Sequence, residues 1–222
     1  MASSTDTNAG ALKRKRNFFD DEELSDVIIK FGEEQVFAHK VILASGSVWF
    51  EKALLGNFSE AKKKVIDLGT EDDPDALIAM LKHQYGYGFA CQDVPDERSE
   101  DCVNYYLNVY KLADFYDVDA LGLDVVQSIK EHLTSDISFC ETKYGLYDET
   151  IFGMQRVLGP EAVQYADKLL LSTMKEFVLQ WAKELMHEKK FVQELALGKM
   201  FDKEFGIVFL NKVCELLDDT GS

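Results

Sequence analysis

The sequence predicts an α+β fold, a small β-sheet clustered with α-helices and followed by an all-helical C-terminal extension. Three observations carry this. Short runs rich in β-branched and aromatic residues, SDVIIKFG, QVFAHKVI and KKVIDL, all fall early in the chain. Apolar residues elsewhere recur at three- and four-residue spacing, the helical period. The last stretch, roughly 60 residues, shows that period alone. With 46% hydrophobic residues and only 3 Pro among 222, the composition is globular.

Each element follows in order. Residues 1–23 form an arm. Its first eleven residues are small and polar and predict disorder. Lys13, Arg14, Lys15 and Arg16 come next, a basic tetrad in an otherwise acidic chain. On a mobile arm such a tetrad suits a nuclear import signal; it equally suits a solvated charge run. The acids of FFDDEEL then neutralise it. Residues 25–32, SDVIIKFG, read as a strand ended by Gly32, and residues 35–42, QVFAHKVI, as a second strand that completes a hairpin. In this reading Asp26 starts the first strand and Lys40 closes the second. VWFEKALLG is helical, with Val48, Leu54 and Leu55 on one face and Gly56 as its stop. KKVIDL is the third strand.

TEDDPDALIAMLKHQYG opens with a helix start: Asp72 or Asp73 caps it and Pro74 suits its first turn. Ala76, Leu77, Met80 and Leu81 give its inner stripe. Residues 86–101 are a polar, turn-rich loop. Helical pattern resumes with Val103, Leu107, Tyr110 and Ala113 in phase, and GLDVVQSIKEHL forms the next helix. A long helical segment is expected from Pro160 to about His187, with Ala166, Leu170, Met174, Phe177, Trp181 and Leu185 on one stripe. KFVQELAL and DKEFGIVFLNKVCELL close the chain.

Charge and cysteines narrow the function classes. The net charge is −16. Such a surface repels phosphate backbones and anionic membranes, so direct nucleic-acid binding and membrane binding are not expected. Cys91, Cys102, Cys140 and Cys214 form no C-x-x-C and have no zinc-finger spacing, so no metal or other cofactor is expected. No signal peptide opens the sequence, and no apolar run approaches about 18 residues. Free thiols then point to nucleus and/or cytoplasm.

LSDVIIKF, VFAHKVILASGSVWFEKAL, GNFSEAKKKVIDLGTEDDPDALIAML and VYKLADFYDV resemble the successive signature blocks of a BTB/POZ domain, in order and in register. The likeness covers residues 24–135, which leaves 136–222 as the helical extension. The pattern looks closest to fungal BTB-domain proteins, through the Asp–Asp–Pro at 72–74 and the VYKLADFYD helix. The resemblance implies the BTB/POZ fold and a protein–protein interaction adaptor rather than an enzyme. It places Asp26, His39 and Lys40 at a structural pocket tied to dimer formation, and it implies protein partners, a homodimer among them, with Phe18 and Phe19 as anchors. Phe58 and Glu60 match the apolar–x–acid pattern by which cullin-binding members contact a cullin, which implies a cullin-RING ubiquitin-ligase substrate adaptor. A self-associating nuclear scaffold or transcription-linked regulator without cullin binding is the alternative.

A His–Lys pair in an apolar run also raises a chemical reading. Ser45 or Ser47 with His39 would make a serine hydrolase. SGSVW is not G-x-S-x-G, however, and lacks the strand–elbow–helix setting that exposes such a serine. Asp26 is the one orienting acid in view, and Lys40 competes for it. Nucleophile, base and orienter are needed together, so the structural reading is preferred. His83, His132 and His187 are expected to be isolated. GYGF at 86–89 and LGKMF at 197–201 lack the spacing of phosphate-binding loops.

Overall fold

A computed structural model of the chain describes residues 18–56, 62–89, 102–140, 148–166 and 168–219. Strands β1 (Val27–Phe31) and β2 (Glu34–Ala38) form an antiparallel hairpin, with Val27 opposite Ala38 and Phe31 opposite Glu34. Gly32 takes the turn at φ +56°, a backbone state that glycine adopts without penalty. Strand β3 (Val65–Asp67) joins the other edge of β1 in parallel, with Ile29 opposite Ile66, so the sheet order is β2-β1-β3. A parallel pair needs a crossover. Helices α1 (Lys40–Gly46) and α2 (Val48–Leu55) supply it. Val27, Ile29 and Phe31 alternate into the core, as a half-buried strand requires.

The second strand is shorter than the sequence suggests. It ends at Ala38, and Lys40 begins α1 instead of closing β2. Short apolar runs carry both periods, and VIL satisfies either. What decides is the burial: Leu43 is buried while Val41 is exposed.

Helix α3 (Pro74–Gln84) starts as expected. The Asp73 carboxylate accepts from the N–H groups of Asp75 (3.0 Å) and Ala76 (3.4 Å), with Pro74 at the first position. Helix α4 (Cys102–Phe115) packs on it, and α5 (Asp119–Cys140) packs on α4. The expected boundary between residues 135 and 136 falls inside α5.

The extension differs from expectation in one place. Helix α6 (Asp148–Leu158) precedes the position where a helix was expected. Gly159 and Pro160 end it, and residues 161–166 are irregular, so Ala166 is exposed. Helix α7 (Leu169–Gln180) starts nine residues after Pro160 and breaks at Trp181, after which α8 (Ala182–His187) continues. Helices α9 (Lys189–Ala196) and α10 (Lys203–Asp219) complete the chain. Helix α6 rests on α4, and α7 rests on α5 and α6. One cluster of buried residues runs from Val27 in the sheet to Phe209 in α10. No helix among the described residues is long and apolar enough to cross a membrane.

Candidate interaction site

The junction of hairpin and α1 brings together the three residues singled out in the sequence. Asp26 stands just before β1. Its N–H donates to the Ala38 carbonyl at 3.2 Å, which extends the hairpin by one rung. Its carboxylate oxygen accepts the backbone N–H of Lys40 at 2.7 Å. That N–H is one of the donors a helix start leaves without an internal partner. Asp26 therefore caps α1 from 14 residues away, and its negative charge suits the positive end of the helix. His39 holds the N-cap position itself in extended backbone (φ −123°, ψ 117°), yet its side chain makes no capping bond.

The imidazole turns the other way, to Tyr85 at the end of α3. The Tyr85 hydroxyl accepts the His39 backbone N–H at 2.8 Å and lies 2.9 Å from Nδ1. With its lone pair engaged by the amide, the phenol can give its own hydrogen to Nδ1, which places the ring proton on Nε2. Nε2 is buried and has no hydrogen-bond partner among the described residues. Burial, the largest cause, pushes the Tyr85 phenol up to about 12; the His39 amide bond pulls it down and the nearby Asp26 charge adds to the rise. The phenol is thus held neutral, as a hydrogen-bonding hub.

The segment before β1 closes over this hub. The Phe18 ring meets His39 edge-on at 5.9 Å. Phe19 meets Tyr85 at 5.5 Å and Tyr87 at 6.1 Å, with the Lys82 ammonium 5.9 Å from its centroid. Asp20 accepts the N–H of Phe37 on β2 at 3.0 Å, which fastens the segment to the hairpin. The two phenylalanines expected to anchor a partner chain are here packed on their own chain.

The hydroxyls proposed for a nucleophile are engaged locally. Ser47 Oγ donates to the Tyr116 carbonyl at 2.6 Å and accepts the Phe50 N–H at 3.0 Å, so it is the buried N-cap of α2. Ser45 Oγ donates to the Ile42 carbonyl at 2.8 Å within α1. The histidines expected to stand alone each have a partner. His83 lies 3.2 Å from Asp124, joining α3 to α5. His132 lies 3.6 Å from Asp136, which also accepts the buried Thr150 hydroxyl of α6. His187 Nδ1 lies 2.7 Å from the Lys183 carbonyl. No group of three or more His, Cys, Asp or Glu among the described residues is placed to hold a metal ion. Lys13, Arg14, Lys15, Arg16, Phe58 and Glu60 lie outside the described residues.

Sequence reasoning missed Tyr85 and Asp20. Tyr85 left a faint signal: it stands between the α3 pattern and Gly86, where a helix end meets a turn. Asp20 left none, because its contact depends on the arm's path.

The BTB/POZ domain pattern matches residues 16–133, which is 118 of 222 residues and more than half of the chain. Kelch repeat and BTB domain-containing protein 2 of cowpox virus (strain GRI-90 / Grishak) is 30% identical over 131 residues, which are 58% of this chain and 21% of that protein. Kelch-like protein 28 of Homo sapiens is 38% identical over 72 residues, 32% of this chain and 12% of that protein. Kelch-like protein 40 of Xenopus tropicalis is 34% identical over 71 residues, 32% of this chain and 11% of that protein. The chain thus spans from 11% to 21% of the length of these relatives. They come from a poxvirus and from vertebrates, and they lend no support to a special closeness to fungal proteins. The hairpin, the capped α1, the parallel β3 and the helices around them fill the matched range, and the chain belongs to the BTB/POZ domain family.

Proposed function

We propose that the chain is a non-enzymatic adaptor that holds protein partners, and that one of these is the cullin of a RING ubiquitin ligase. One observation carries the reading: α2 presents an apolar outer face, and the Phe58–x–Glu60 motif follows it in the sequence. Val48 is 44% exposed and Leu55 69% exposed. They stand seven residues apart, on one side of the helix. Phe58 follows Leu55 by three positions in the sequence, and aromatic side chains are frequent anchors at interfaces. The Kelch-like relatives support an adaptor role, and the engagement of His39 by Tyr85 and of Ser47 by Tyr116 supports a non-enzymatic one.

The test is capture of a cullin on the immobilised full chain, wild type against Phe58→Ala with Glu60→Ala. A loss of roughly tenfold or more in recovery is expected, the effect of about 1.4 kcal/mol at an anchor residue. Equal recovery from both proteins removes the motif from the interface.

A further inference from the structure

Helix α10 uses one face in the fold and leaves another outside. Phe205 and Phe209 are buried and meet the Phe201 ring at 5.1 Å and 5.0 Å. The outer face is apolar as well. Ile207 is 55% exposed, Leu210 49% and Leu217 66%, and Cys214 is exposed. Their spacing is three, four and three residues, which makes a single stripe along the helix. Isolated exposed apolar residues are ordinary. Four in one stripe are the pattern of a helix–helix seam.

We propose that this stripe seats the α10 of a second copy of the chain, the two helices running antiparallel about a twofold axis. The stripe is symmetric about Lys212. Reversing one helix on the other sets Ile207 against Leu217 of the second copy and Leu210 against its Cys214, so the surface complements itself. Charge selects the direction. Lys203 lies one turn before Ile207 in line with the stripe, with Glu204 beside it. At the other end Asp218 borders the stripe, while Glu215 pairs with Lys212 of its own helix at 3.7 Å. Antiparallel pairing brings Lys203 of each copy to the acidic end of its neighbour. Parallel pairing would set lysine on lysine and acid on acid. The helix dipoles favour the same choice.

Size sets the strength. From Ile207 to Leu217 the seam is about 15 Å long at 1.5 Å per residue. A single helix pair of that length falls short of the roughly 800 Å² per partner of a standard interface. The chain's net charge of −16 also opposes the approach of two copies. The contact is therefore reversible and salt-assisted, and it gains where two copies are already held close. It goes beyond the adaptor reading and does not rest on it, since cullin capture and α10 pairing are read from different surfaces.

Cross-linking tests the seam directly. The full chain carrying Leu210→Cys is oxidised mildly and run on a gel without reductant. A band of doubled mass, removed by reductant and several-fold stronger than in wild type, is expected, because Cys214 of the wild type faces Leu210 of the other copy. Adding Cys214→Ser to Leu210→Cys must abolish the band. A Leu210→Cys protein that stays at single-chain mass overturns the proposal. So does a band that survives Cys214→Ser, which would mean position 210 facing itself in a parallel pair or a link through another cysteine. Leu210 and Cys214 are exposed, so both variants keep the core, and superimposable thermal melts check this.

Discussion

The Tyr85 hydroxyl lies 2.8 Å from the His39 amide nitrogen and 2.9 Å from Nδ1, so removing it strands two polar groups at once. Tyr85→Phe keeps the ring packing against Phe19 and deletes only these bonds. A loss of about 1–3 kcal/mol in urea unfolding is expected, the usual cost of a buried donor left unmatched. The pH dependence follows from the same burial. In the fold the phenol keeps its proton up to about 12, against an ordinary value of 10.0, and Tyr116, also raised to about 12 chiefly by burial, behaves alike. Above pH 10 the unfolded chain releases these protons first. The stability is therefore whole below that pH and is lost as pH rises toward 12. Urea midpoints should fall between about pH 9 and pH 11 in the wild type, and fall less steeply in Tyr85→Phe. An equal slope in both proteins would remove Tyr85 from the effect. The place of His39 was legible from its apolar surroundings. The manner of its use was not, since the tyrosine lies 46 positions away. Asp26 was legible as a partner of position 40, but the bond runs to the backbone N–H, which every residue except proline carries.

Helix α6 shows what hides an element from sequence reading. Its core face is Ile151, Met154, Val157 and Leu158, a sound helical pattern. Gly153 interrupts that pattern, and glycine within a helix lowers its propensity by about 1 kcal/mol. The structure gives the reason for the glycine. A Cβ built there would overlap Cγ1 of Val103 on α4. Close by, Glu149 accepts the Val103 N–H at 2.6 Å, so α6 serves as the cap of α4 while it packs on it. Gly153→Ala should then destabilise the chain by about 1–3 kcal/mol through overpacking, despite alanine's better helix propensity. Adding Val103→Ala should return part of that loss, a coupling that thermal or urea melts of the two singles and the double would show. Additive effects would mean that the two helices separate freely. Helices with clean signals were legible: α3 announced itself through Asp73 and Pro74, and α4 through its apolar stripe. The helix expected from Pro160 starts later because the apolar stripe begins at Ala166, three residues before the helix does. The real start, at Leu169, has no capping side chain to mark it.

At the scale of the molecule the sequence suggests two units, and the physics of the core joins them. Helix α5 passes through residue 135 without a break. The Tyr110 hydroxyl of α4 accepts the Leu170 N–H of α7 at 3.2 Å, and the two residues are buried. The Thr150 hydroxyl of α6 donates to Asp136 on α5. Buried polar groups across a seam cannot be left without partners at small cost, so opening the seam exposes both apolar surface and stranded donors. Chains beyond about 150 residues often unfold in steps. Here a shared core argues for one step, and the two tryptophans allow the test. Trp49 stands in the sheet-bearing half, between Phe50 and Tyr116, each about 5.0 Å away. Trp181 stands in the helical half, 6.2 Å from Phe177. Each is partly buried against the core, and they are the chain's only tryptophans. Trp181→Phe leaves a reporter of the first half alone, and Trp49→Phe leaves one of the second. For each variant the fluorescence midpoint in urea should coincide with the midpoint of its own far-ultraviolet circular dichroism, which reads the helices of both halves together. Comparison within one variant cancels any stability change the substitution brings. If the Trp181 signal is lost before the helical signal in Trp49→Phe, and the Trp49 signal after it in Trp181→Phe, the helical half unfolds on its own. The core between α4, α5, α6 and α7 would then be a docking surface between two separately folding units rather than the centre of one.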